Sequence, residues 1–248
     1  MLPLARDMRN MKTVLLDERV SEECLRSLIL RGFSPITLPR YPALPEAIGA
    51  HCDTLLFKLG NTLITSADYC EYASFVFSDL RERHPNLNII FSSDALGKEY
   101  PEDCRFNALT VGKNIVCRRE SISESVIRLA ESCGLTAVDS KQGYAACTVL
   151  MVDEKNAVTA DKGMARLLRS LSVKVTEISE GSISLPPYEY GFIGGASFVF
   201  GDTVYFFGNP ARHPDGELIC AALTAAGKKI CPLSDAPLTD IGGAAVFE

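Results

Sequence analysis

The side chains able to carry chemistry are few in this sequence, and their spacing narrows what they can do. Three histidines stand among 248 residues, and one of them opens a His51-x-Asp53 pair. On an extended strand, residues i and i+2 share a face, so His51 can serve as a base with Asp53 as its orienting acid. Nine cysteines are scattered along the chain with no CxxC pair. An odd number without metal-type spacing reads as free thiols in a reducing, cytoplasmic setting rather than a disulfide framework or a zinc site. Cys147 stands apart because Ala145 and Ala146 precede it, which leaves its thiol facing open space. A nucleophilic thiol needs a neighbouring cation to lower its pKa, and that cation is usually a histidine. Cys147 with His51 is therefore the candidate catalytic pair, suited to attack on an amidine or acyl carbon. Plainer readings stand beside this one. A free cysteine is more often a small core residue, and His51-x-Asp53 also fits a solvated strand end. Asp161 reads first as a helix N-cap and Asp215 as an acid complementing a helix dipole.

The elements that must position these residues follow a repeated layout. The stretch YGFIGGASFVFGDTVYFFG, residues 190–208, holds two β-branched and aromatic runs around Gly201-Asp202, the pattern of a β-hairpin. Paired glycines such as Gly194-Gly195 let another backbone or a ligand come close. The same strand, turn, strand, helix, strand order recurs from starts near Asp53, Asn107, Cys147, Ala196 and Ala244, at intervals of about 40 to 54 residues. Within it the reading places strands over 51–57, 106–111 and 145–152 and one helix over 67–83. A further helix over 121–133 takes Ser121 as its N-cap with Glu124 completing a capping box. Others are expected after Ser21 and Asp161 and over 214–226. The closing segment IGGAAVFE copies IGGASFVF at 193–200 but stops after one strand. The opening KTVLLD, its helix and its strand lack a first strand. Joined, the two ends complete one unit, which predicts a closed ring of five units with no exposed sheet edge at the seam.

Composition limits the partners. At 47% hydrophobic residues the chain can bury a large core. A net charge of −6 without a Lys/Arg run excludes the electrostatic footprint of a nucleic-acid binder. No stretch approaches a membrane span, and the N-terminus lacks an apolar core of signal-peptide length. Met11 is a candidate start, which makes residues 1–10 a flexible extension and 11–248 one domain.

Five strand-strand-helix-strand units closed by both termini resemble the pentein superfamily, the α/β-propellers. Its members include arginine and agmatine deiminases, amidinotransferases, dimethylarginine hydrolases and the non-enzymatic translation initiation factor six. The enzymes carry an H-x-D-x-x-F pattern, which His51-Cys52-Asp53-Thr54-Leu55-Leu56-Phe57 approaches with Phe one residue late. Where they have F-x-G-G-D, this chain has Phe192-Ile193-Gly194-Gly195-Ala196. Where they place a nucleophilic Cys in the last strand, Gly242-Gly243 is followed by AAVFE. The His motif also comes earlier in the order of units.

In such a ring the unit starts converge on one central mouth. The expected site is Cys147 and His51 as catalytic residues, with Asp53, Asn107, Ser197, Asp240 and Glu248 binding the ligand. The three acids favour a cationic guanidine or amine, with neither metal nor cofactor. The resemblance implies a divergent amidino-hydrolase or amidinotransferase. The alternative is a non-catalytic interaction protein like the initiation-factor branch. The sequence admits a homodimer.

Overall fold

The computed structural model describes residues 12–248, so the expected extension over residues 1–10 lies outside the described residues. The apolar run KTVLLD forms β1 (Lys12–Asp17), buried from Thr13 onward. Ser21 then caps α1 (Glu22–Leu30), its hydroxyl accepting from the Cys24 amide at 3.2 Å. β2 (Phe33–Leu38) returns parallel to β1.

Four further units follow. The second holds α2 (Cys52–Leu55), β3 (Leu56–Leu59), β4 (Thr62–Ser66), α3 (Ala67–Tyr72), α4 (Ser74–Arg83) and β5 (Asn88–Ser92). The third holds β6 (Leu109–Val111), β7 (Asn114–Cys117), α5 (Glu124–Ser132) and β8 (Thr136–Asp139). The fourth holds α6 (Ala145–Thr148), β9 (Val149–Asp153), β10 (Asn156–Thr159), α7 (Lys162–Ser170) and β11 (Lys174–Glu177). The fifth holds β12 (Ser197–Phe200), β13 (Thr203–Phe206), α8 (Gly216–Ala225) and β14 (Lys229–Pro232). Last comes β15 (Ala245–Phe247), which pairs antiparallel with β1, Val246 opposite Val14. Every sheet therefore has three strands, an antiparallel pair with a third strand parallel to its middle member. The expected closure by the two ends is the observed one.

Apolar packing joins each unit to the next around the ring. Leu15 and Ala245 share a cluster with Ile64 and Ile115, linking the first three units. Val111 and Val116 meet Val149 and Ala157. Leu150 and Val158 meet Val204 and Phe206. Phe198 and Phe207 pack on Val14 and Leu16, which brings the fifth unit back to the first. Each such large side chain contributes about 1.5–3 kcal/mol by leaving water. The inner strands β3, β6, β9, β12 and β15 all face one central cavity.

Several boundaries differ from the sequence reading. Residues 52–55 and 145–148 are single helical turns, not strand starts. The last antiparallel pairs are Leu56 with Thr65 and Val149 with Thr159. Beyond them the antiparallel ladder has ended, so these residues take bonds within a turn: Leu55 N donates to His51 O and Thr148 N to Tyr144 O. The helix expected over 67–83 breaks at Ala73 into α3 and α4. Ser123, not Ser121, caps α5, because Ser121 is held in a turn through its amide and hydroxyl to Arg118 O. Asp161 caps α7 as expected, accepting from Met164 N at 2.8 Å. α8 begins at Gly216, and the Asp215 carboxylate instead accepts from the Ser179 amide and hydroxyl, each at 2.6 Å.

Candidate functional site

The two helical turns carry the central side chains. α2 presents Asp53, with His51 as the residue before the turn, and α6 presents Cys147. The Cys147 thiol donates to Asp53 Oδ2 at 2.7 Å across a separation of 94 residues. Asn107, ahead of β6, donates from Nδ2 to Cys147 Sγ at 3.2 Å and accepts the Ala146 amide at 2.7 Å. The starts of three consecutive units thus meet at one sulfur. His51 and Asp53 lie close, although on a turn rather than one strand face: Nδ1 is 4.0 Å from Asp53 Oδ1.

His51 is fully buried, and both ring nitrogens lack a hydrogen-bond partner. Around it stand two more acids. Nδ1 is 3.9 Å from Asp240 Oδ1, and Nε2 is 3.9 Å from Asp17 Oδ2. Asp240 is fixed by backbone, accepting from Phe192 N at 2.8 Å and Gly242 N at 2.9 Å. Asp17 is held by Arg19, whose guanidinium donates to both carboxylate oxygens. Sequence reasoning missed Asp17 and these two amides. An acid closing an otherwise apolar strand was the available signal for Asp17.

Glycines wall the cluster because any side chain would collide there. A Cβ on Gly195 would strike Asp240 Oδ1, and one on Gly242 would strike the His51 ring. A Cβ on Gly194 would meet the Cys147 carbonyl oxygen at 2.6 Å. Backbone bonds seal the junction: Gly195 N donates to Cys147 O, and both Ile241 N and Gly243 N donate to Gly195 O. This contradicts the expectation that the Cys147 thiol faces open space. The two alanines before it instead let the turn tuck beneath Gly194, and Cys147 is 3% exposed.

Burial sets the protonation. It pushes Asp53 up to about 6, with the thiol bond opposing, and Asp240 up to about 7, with the Asp53 charge adding to the rise. It drives His51 down to about 3, aided by Arg19. It raises the Cys147 thiol well above the ordinary range, and the charges of Asp53 and Asp240 raise it further. A neutral imidazole beside a protonated thiol is not an ion pair, so His51 does not supply the cation that activates a cysteine.

The cavity on the ring axis has a volume of about 680 Å³. Asp53 is the member of the cluster that reaches its wall, beside Ala146, Gly194 and Gly242. Ser197 also lines it, but its hydroxyl is bound to Ile193 O at 2.7 Å. Glu248 also lines the cavity, just past β15, but it is exposed and stands outside the buried cluster, where its charge acts on Lys58. His51, Asn107, Cys147 and Asp240 stand behind the wall.

Comparison with solved structures shows the fold. Dimethylarginine dimethylaminohydrolase from Pseudomonas aeruginosa, in complex with citrulline, superimposes with a TM-score of 0.57 at 12% identity, covering 96% of this chain and 99% of that one. An inosamine-phosphate amidinotransferase from Streptomyces griseus gives 0.56 at 13%, covering 94% and 91%. Agmatine deiminase from C. jejuni gives 0.53 at 11%, covering 91% and 88%. No curated protein sequence matches the chain. With the sequence profile matching over residues 15–245, the chain belongs to the family of unknown function DUF6873, and it carries the α/β-propeller fold of the pentein superfamily.

Proposed function

We propose that this protein binds a compact cationic small molecule, of guanidine or amine type, in the cavity on the ring axis. The observation that carries this reading is the Asp53 carboxylate, which stands in the cavity wall with no Lys or Arg side chain of the described residues paired to it. Arg19 is engaged with Asp17, and the neighbouring His51 is neutral near pH 7. Asp240 adds a second buried acid behind the first. A ligand cation entering there gains a charge-assisted hydrogen bond to Asp53 and relieves the repulsion between two buried carboxylates. The names of the structural neighbours agree with such a ligand: an agmatine deiminase, an amidinotransferase and a hydrolase of dimethylarginine.

The test is a thermal-shift panel. Agmatine and arginine raise Tm with concentration, as any ligand selective for the folded state does, while citrate and phosphate leave it unchanged. Equal shifts for cations and anions overturn the reading.

A specific contact favours a second reading, covalent amidino chemistry. The 2.7 Å bond from Cys147 Sγ to Asp53 gives the thiol proton an acceptor, so Asp53 rather than His51 would take it as sulfur attacks an amidine carbon. Ala196 and Ala244-Ala245 stand where the known enzymes carry their acid and their cysteine. Binding is therefore the function proposed, and catalysis its extension.

A further inference from the structure

The cluster behind the cavity wall has the composition of a metal site. A His51 ring nitrogen, an Asp53 carboxylate oxygen and Cys147 Sγ all lie within 4.8 Å of one another, and Nδ1 is 4.0 Å from Asp53 Oδ1. Asp240 Oδ1 stands 3.9 Å from the same ring nitrogen. Two further observations point to a ligand. The imidazole is buried with neither nitrogen bonded, and a buried polar group left unpaired is costly and rare. The sulfur already receives an N–H from Asn107, a contact that supports a thiolate.

We propose that His51, Asp53 and Cys147, with Asp240 as a fourth ligand, bind one zinc ion. A mixed nitrogen, oxygen and sulfur set suits this borderline-soft cation and its tetrahedral preference. The movement required of His51, Asp53 and Cys147 is small, and Asp240, which stands outside that tight group, moves further to join them. Around one zinc ion a sulfur and an oxygen stand about 3.6 Å apart and a nitrogen and an oxygen about 3.4 Å, from bond lengths near 2.3 and 2.1 Å. The Cys147–Asp53 contact must open from 2.7 Å, and the His51–Asp53 distance must close from 4.0 Å. Binding breaks the S–H bond: the thiol proton leaves to solvent and the sulfur lone pair goes to the metal. With Nδ1 on the ion, Nε2 keeps its hydrogen and faces Asp17 Oδ2, the carboxylate–histidine–metal arrangement that orients a ligand ring. Asp240 Oδ1 accepts one amide hydrogen and retains a lone pair for the metal. Asp53, at the cavity wall, marks the entry path.

This inference does not depend on the small-molecule reading, and its test is done without any organic ligand. Co²⁺ is titrated into the full chain. The expected result is one ion per chain, a thiolate-to-cobalt charge-transfer band, and its loss when Zn²⁺ is added. Cys147→Ser, which keeps the other eight cysteines, abolishes the band. No band, or a band that survives in a folded Cys147→Ser protein, overturns the proposal. Should that variant not fold, X-ray absorption of the zinc-loaded wild type decides: one sulfur with nitrogen and oxygen neighbours supports the site, and none or several sulfurs refute it. Both readings use Asp53, so agmatine is tested on the metal-free protein; a cobalt band with no agmatine effect on that protein would sink the small-molecule reading alone.

Discussion

Asp53 and Cys147 make opposite demands on one proton. The thiol donates to a carboxylate that burial already makes reluctant to ionise, and burial with the charges of Asp53 and Asp240 disfavours the thiolate. Alkylation reads this directly. With iodoacetamide at neutral pH, exposed Cys133 labels ahead of buried Cys147, whose thiolate is disfavoured. Faster labelling of Cys147 than of Cys133 would instead establish an activated nucleophile and promote the covalent reading. At this scale the sequence was partly legible. Asp53, Asn107 and Cys147 were found because each opens a repeat, and repeats place equivalent positions around one axis. Asp17 was not found, because it ends a strand in the one unit whose first strand comes from the other terminus. Glu248 was legible as a residue of the central cavity, which it lines, but it is exposed and takes no part in the buried cluster around Cys147.

The elements deliver these residues through close backbone approach, and glycine permits it. Gly195→Ala places a methyl group on the Asp240 carboxylate, whereas Gly60→Ala meets nothing and bears only its φ of +56°. The turn variant costs roughly 1–2 kcal/mol. Gly195→Ala costs more, and urea unfolding of the two proteins checks the order. Caps were legible wherever the side chain had no competitor, as at Ser21 and Asp161, and misread at Ser121, which a turn had claimed. The helical turns α2 and α6 were not legible, because HCDTLLF and AACTVLMV read as apolar strands. The switch from turn to strand falls where the antiparallel pairing ends, at Leu56 with Thr65 and Val149 with Thr159. Asp94 ties the segment after β5 to the cap of α5 by accepting from Ser92 Oγ at 2.8 Å and Ser123 Oγ at 2.6 Å. The Ser123 bond, more than any other cause, holds its pKa below the ordinary value. A carboxyl held low in the folded state stabilises it above the unfolded pKa near 3.9 and loses that effect as pH falls through the folded value. Asp94→Asn therefore lowers Tm at pH 7, and its difference from wild type shrinks as the pH falls below the unfolded value. A constant difference across that range would contradict the account.

At the scale of the whole molecule, closure makes the site. The ring was legible because IGGAAVFE and KTVLLD each lack what the other supplies, and β15 does pair with β1. Its seam rests on few residues. Phe247 is 4% exposed within the cluster that joins the first three units, so Phe247→Ala costs about 3–5 kcal/mol, while Phe75→Ala, at a residue 64% exposed, stays within about 0.5 kcal/mol. Denaturant midpoints separate the two. What closure produces is a carboxylate at the wall of a central cavity, built from segments far apart in sequence. The direct measurement is calorimetric titration of agmatine into wild type, Asp53→Asn and Asp215→Asn at pH 8. Wild type is expected to show one site, Asp53→Asn to lose roughly 1.5–3 kcal/mol of binding free energy, the scale of a hydrogen bond to a charged group, and Asp215→Asn, whose carboxylate is bound to Ser179 outside the cavity, to bind unchanged. Equal affinities for wild type and Asp53→Asn would refute cation binding at Asp53.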